Sequence, residues 1–92
     1  MMTDALRPDA VPSLWRLARV ELDAVRNRPV LLYPEGVVFL NESGAAIIAL
    51  CDGRRTLAEI CDELSSRYQQ DVRADVEEYV GGLVERELMD VR

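Results

Sequence analysis

The chain contains no histidine and no lysine. Without histidine, His-based acid–base catalysis, Ser-His and Cys-His nucleophiles and nearly all zinc sites are excluded. Without lysine, all 11 basic residues are arginine, a bias from which no mechanism follows. Cysteine is scarce. Cys51 and Cys61 stand ten apart with no CxxC, no CxxxCxxC iron–sulfur run and no third ligand, so they read as reduced thiols filling core space. Long apolar runs are missing too: the longest, Ala45 to Cys51, falls far short of the roughly 20 residues that span a bilayer. Asp4, Arg7, Pro8 and Asp9 interrupt the N-terminus, so no signal peptide is expected. Positive charge is in deficit, with 11 basic against 17 acidic residues and a net charge of −6. Nucleic-acid and anionic-membrane partners both need clustered positive charge and are disfavoured. These absences leave the expectation of a soluble, cytoplasmic chain with no cofactor and no metal.

The composition that is present is ordinary for a globular protein, 49% apolar and 30% charged in 92 residues, which reads as one domain. A chain this size buries only about 60–65% of its unfolded surface, so its core is small. Residues 1–13 carry two prolines, Pro8 and Pro12, and no apolar periodicity. They read as a flexible N-terminal tail ahead of a single domain over residues 14–92. Trp15 to Leu22 reads as a strand with Ala18, Val20 and Leu22 on one face, although a short helix fits as well. Pro29 suits the start of a strand, and Val30 to Tyr33 is a good strand by residue type. Tyr33-Pro34-Glu35-Gly36 then reads as a three-residue hairpin loop with Gly36 left-handed, returning along Val37 to Leu40.

Helical spacing takes over at once. Asn41 or Ser43 can cap a helix over Gly44 to Cys51, with Gly53 as a left-handed C-cap. Thr56 and Glu59 form a capping box, and Leu57, Ile60, Cys61, Leu64 and Tyr68 make one buried stripe. A last helix carries Val76, Tyr79, Val80, Leu83, Val84 and Leu88 at three-four spacing. Gly81-Gly82 lies in its middle, each glycine costing roughly 1 kcal/mol against alanine, and tight packing on a neighbouring helix is the expected reason. The fold class is α+β: three N-terminal antiparallel strands followed by a three-helix bundle, winged helix-turn-helix-like.

That order suggests a DNA-binding protein, and charge argues against it. From Asp71 to Arg92 there are seven acids and three arginines, so the segment carries 3 − 7 = −4, the wrong sign for phosphate contacts. The strand Val37 to Leu40 points elsewhere. All four residues are apolar, where a half-exposed edge strand should alternate. An open apolar edge beside the last helix suits the addition of an extended peptide as an extra strand. Cover by the N-terminal strand, or by a homodimer contact, explains the pattern equally well.

LLYPEG (Leu31–Gly36), the pair Leu40-Asn41, and LCDG (Leu50–Gly53) followed by Arg-Thr-Leu-Ala-Glu-Ile together resemble the PqqD family of pyrroloquinoline quinone (PQQ) biosynthesis. WRL from Trp15 and Asp75-Val76 fit too, so the likeness covers about residues 12–88. The chain departs from the pattern at Glu87-Leu88-Met89, where such proteins often have a glycine and then an aromatic or aliphatic residue. The resemblance implies a winged-helix-like fold and no catalytic activity. It implies a peptide chaperone that binds the ribosomal precursor PqqA and presents it to the radical S-adenosylmethionine enzyme PqqE. Its implied peptide site is Val37, Val38, Phe39, Leu40 and Asn41 with Asp75, Val76, Tyr79, Val80 and Leu83. Which of the helix residues face the groove and which the core is open at this level. For the surface that meets the enzyme, the acidic outer faces at Asp62, Glu63, Glu77 and Glu78 are candidates, as is a merely solvated face.

Overall fold

Leu40 and Asn41 mark the point where period-two patterning gives way to helical spacing, and the architecture follows from that junction. The computed structural model describes residues 6–92; residues 1–5 of the expected tail lie outside the described residues. In chain order the elements are β1 (Pro12–Leu14), β2 (Arg19–Asp23), β3 (Arg28–Tyr33), β4 (Gly36–Phe39), α1 (Glu42–Leu50), α2 (Leu57–Tyr68), α3 (Arg73–Glu85) and β5 (Met89–Val91). The fold is therefore α+β as expected, with five strands rather than three. β2, β3 and β4 form an antiparallel sheet in that order, and β1 pairs with β5 in a separate antiparallel ribbon.

The hairpin is tighter than its sequence suggests. Tyr33 pairs directly with Gly36, so the loop is the two residues Pro34 and Glu35, and neither Glu35 nor Gly36 has a positive φ. Gly36 is the first residue of β4 instead of a bulge, and a Cβ there would lie 3.2 Å from the Tyr33 hydroxyl. The first strand is also shorter than read: Trp15 to Ala18 is a turn closed by Ala18 N–H donating to Trp15 O, and only Arg19 onward pairs with β3.

The register fixes which backbone groups of β4 are used. Leu40 N–H donates to Pro29 O at 3.1 Å, continuing the pairing Leu31↔Val38 and Tyr33↔Gly36. In an antiparallel ladder, hydrogen-bonded pairs alternate. Gly36, Val38 and Leu40 therefore turn their backbone groups toward β3, while Val37 and Phe39 turn theirs to the open side.

Asn41 ends the strand and starts α1. Its Oδ1 accepts from Gly44 N–H at 2.7 Å, the usual N-cap bond. α1 closes at Cys51, whose φ of −84 is not left-handed, so Gly53 is not its cap. Gly53, at φ +79, serves the next turn, where the Asp52 carboxylate accepts from Arg54 and Arg55 N–H. The capping box of α2 is formed as read, Thr56 and Glu59 each bonding the other's backbone N–H. Two further N–H groups at that helix start would have no partner within the helix. Leu57 N–H donates to Ala10 O, and Ala58 N–H to Pro8 O. Val11 and Arg92 exchange both of their backbone bonds. The chain from Pro8 to Leu14 is thus docked against α2 and β5, where a loose tail to Ser13 was expected.

The core gathers Leu31 and Leu40 from the sheet, Ile60 and Leu64 from α2, and Val76 and Val80 from α3, each at most 2% exposed. α3 ends sooner than read. Leu88 N–H donates to Leu83 O and Glu87 N–H to Val84 O, a Schellman closure. Leu88 is buried just outside the helix, and Glu87 sits at φ +62, a conformation that glycine adopts without a Cβ penalty. Gly at this position should relieve that strain, less the backbone entropy glycine loses on folding. Glu87→Gly is expected to raise unfolding stability by about 0.5–1 kcal/mol in a urea titration; a lower stability would contradict this account of the closure.

Candidate functional site

Because β4 is an edge strand and α3 packs beside α1, a groove of about 580 Å³ opens between them. Val38, Ile47, Val76 and Leu83 supply its apolar floor, and Tyr68 and Gln70 stand at one end. Asp75, Glu78, Gly82 and Arg86 line it from the exposed face of α3.

The ten residues expected at a peptide site divide into three groups. Val38, Asp75, Val76, Tyr79 and Leu83 come together around the groove. Val37 and Phe39 point their side chains to the other face of the sheet, 45% and 54% exposed, with the Arg26 guanidinium 5.1 Å from the Phe39 ring centre. Their backbone groups, not their side chains, face the open edge. Leu40 and Val80 are core residues, 2% and 0% exposed, and Asn41 is occupied as the α1 cap. The apolar surface expected on the second face of β4 is therefore present, as Val37 and Phe39.

Among the residues that line the groove, the expected site did not include Ser43, Ile47, Tyr68, Gln70, Gly82 or Arg86, and Glu78 was expected on an acidic outer face instead. Glu78, Gly82 and Arg86 had a signal available, because with Tyr79 and Leu83 they continue the three-four stripe that starts at Asp75 and Val76. Gly81 and Gly82 do not pack on a neighbouring helix. A Cβ on Gly81 would meet Leu6 Cδ1 at 3.2 Å, and one on Gly82 would meet nothing within 4 Å.

Tyr79 is placed by a glycine on another element. A Cβ on Gly44 would lie 2.5 Å from Tyr79 Oη and 2.8 Å from Cζ, so the ring lies directly against the first turn of α1. Burial pushes the Tyr79 phenol up, and the Arg86 guanidinium offsets part of that rise. The phenol is thus neutral at physiological pH. Gly44→Ala is expected to destabilise the fold by about 1–2 kcal/mol even after its gain in helix propensity. Adding Tyr79→Leu should recover most of the loss in the same urea titration. A neutral Gly44→Ala would show that the ring is free to move.

Neither thiol has the exposure or the lowered pKa of a catalytic cysteine. Cys51 is buried, its Sγ–H donating to Ile47 O at 3.3 Å. Desolvation, with the Asp52 charge beside it, pushes its pKa up to about 12, and burial raises Cys61 as well. The unfolded chain loses these protons at lower pH than the folded one. Stability from this source is therefore complete below the ordinary thiol range and is lost as pH rises from 9.0 toward about 12. For Cys51 the expected decline is about 1.4 kcal/mol per pH unit within that window. It should be read as a falling denaturant midpoint above pH 9, reduced in Cys51→Ala. Among the described residues, no three His, Cys, Asp or Glu side chains are grouped so as to hold a metal ion, and no helix is long and apolar enough to cross a membrane.

Comparison with known proteins gives three findings. The family model described as coenzyme PQQ synthesis protein D (PqqD) matches residues 29–89. A PqqA binding protein of Methylococcus capsulatus is 41% identical over 75 residues, 80% of this chain and 81% of that one. The solution NMR structure of the PqqD truncation of Methylobacterium extorquens PqqCD superposes with a TM-score of 0.80 at 33% identity, covering 98% of this chain and 99% of that one. That truncation is described as a functional, stand-alone recognition element for ribosomally synthesised and post-translationally modified peptides.

Proposed function

The chain belongs to the PqqD family, and from that premise we propose that it is a non-catalytic, cytoplasmic accessory protein of PQQ biosynthesis that binds PqqA. The observation that carries this reading is the edge of β4, unpaired among the described residues, lying beside an apolar groove. The peptide enters as a fourth strand. Backbone groups of Val37 and Phe39 provide the hydrogen bonds, and Val38, Val76, Tyr79 and Leu83 receive its inward side chains. In this reading the fold is winged-helix-like, with the β3–β4 hairpin as the wing, and the bound peptide is presented to the radical S-adenosylmethionine enzyme PqqE. The naming of the Methylococcus capsulatus relative as a PqqA binding protein supports the ligand.

Charge opposes the alternative, a winged-helix DNA binder, since the groove face of α3 presents Asp75 and Glu78 where a duplex would bring phosphates. A homodimer would have the outer edge of β2 available, where Leu22 is 63% exposed.

Calorimetric titration with PqqA tests the proposal. Wild-type protein should bind with micromolar or tighter affinity. Val38→Arg, which puts a charge on the groove floor, should weaken binding by about tenfold or more, the cost of an unpaired buried charge. Val25→Arg, at a turn residue outside the groove, should not change it. Equal loss in both variants, or no loss in either, would overturn the assignment of the groove.

A further inference from the structure

One row of α3 carries three features that strand addition alone does not use. Glu78, Gly82 and Arg86 are spaced four apart, so they stand above one another on the helix face that walls the groove, and all are exposed. Neither charge is in an ion pair among the described residues. Arg86 Nη2 donates to the Tyr33 hydroxyl at 3.3 Å. Asp75 adds a second carboxylate one turn before Glu78, at the same end of the groove. Between the charges, the space above Gly82 is open for 4 Å around a would-be Cβ.

The row has the spacing of an extended chain. Four residues of helix rise about 6 Å, and two residues of strand about 6.6 Å. Alternate side chains of a bound strand therefore keep step with Glu78, Gly82 and Arg86 over five residues. Direction follows from the sheet. Every pairing in it is antiparallel, and an added antiparallel strand continues the same bond pattern. β4 begins at Gly36, paired with the Tyr33 whose hydroxyl meets Arg86. It leads to α1, where Gly44 meets Tyr79. A strand antiparallel to β4 thus enters beside Asp75 and Glu78 and leaves beside Arg86.

Resting on the reading of the groove as a peptide site, we propose that this row selects a segment of the form basic–x–large apolar–x–acidic. The basic side chain lies against Glu78 and Asp75, the large apolar one fills the space over Gly82, and the acidic one meets Arg86. The row then sets the register and polarity of a strand that backbone hydrogen bonds alone would accept in any register.

The test uses two fluorescent dodecapeptides on a serine–threonine background. One carries arginine, phenylalanine and glutamate at alternate positions in that order; in the other, arginine and glutamate are exchanged. Wild-type protein should prefer the first by about fivefold at low salt, the size expected of two exposed ion pairs, and less at high salt. The double variant Glu78→Arg, Arg86→Glu should prefer the second. Gly82→Leu should weaken both by about tenfold, as a filled subsite would, with an unchanged or higher melting temperature because a helix-interior glycine has been replaced. Equal binding of the two peptides, a preference unmoved by charge reversal, or undiminished binding to Gly82→Leu overturns the proposal. If PqqA still binds and Val38→Arg still blocks it, the row alone is wrong. If neither the peptides nor PqqA bind wild-type protein, the groove reading falls with it.

Discussion

At Leu40 and Asn41 a strand becomes a helix with no connecting loop, and both residues are fully committed to that change. Leu40 is buried and gives its N–H to Pro29 on the neighbouring strand. Asn41 caps the next element through Gly44 N–H. With no slack between them, the direction of β4 fixes where α1 starts. Gly44, in the first turn of α1, then fixes where Tyr79 of α3 rests. The distance between an open strand edge and a helix wall is thereby set by local bonds, before any ligand is present.

A small chain has too little apolar material to cover both faces and both edges of a three-stranded sheet. Here the inner face of β3 and β4 takes the core, while β2, Val37 and Phe39 stay in contact with solvent. The β1–β5 ribbon and the segment from Pro8 close the other side of the helices, and they do so largely with backbone hydrogen bonds. α3 is also compromised for its position. Its exposed groove face is acidic at one end and basic at the other, it carries a glycine that packs on nothing, and its closure holds Glu87 in a left-handed conformation.

Much of this was legible in the chain itself. The β3–β4 hairpin, the capping box at Thr56 and Glu59, and most of the buried stripes of α2 and α3 rest on local chemistry, which can be read along a sequence. Tyr68, expected in the buried stripe of α2, is instead 43% exposed at the groove, in the last turn of the helix. The ribbon of β1 and β5 could not be read in that way. Three-residue strands are too short to show a period, and their partners lie at opposite ends of the chain. The docking of Ala10 and Pro8 on α2 was hidden for a related reason, because it satisfies backbone N–H groups and depends little on side-chain type. At the groove, the family resemblance implied Asp75, Val76 and Tyr79, which line it, but did not separate Leu83, which also lines it, from Val80, which lies in the core. They are three residues apart on one stripe and both are buried, so the pattern of apolar residues cannot divide them. The missing glycine at Glu87 also left the end of α3 unmarked, although the Schellman bonds form without it.

The alternation of backbone groups along β4 offers the most direct test of strand addition. Amide hydrogen exchange should be followed by NMR, residue by residue, with and without saturating PqqA. The account requires Val37 and Phe39 N–H, which face the open edge, to become strongly protected when the peptide binds. Val38 and Leu40 N–H, already bonded to β3, should change little. Peptide binding that leaves Val37 and Phe39 exchanging freely, or that protects Val20 and Leu22 on β2 instead, would contradict it.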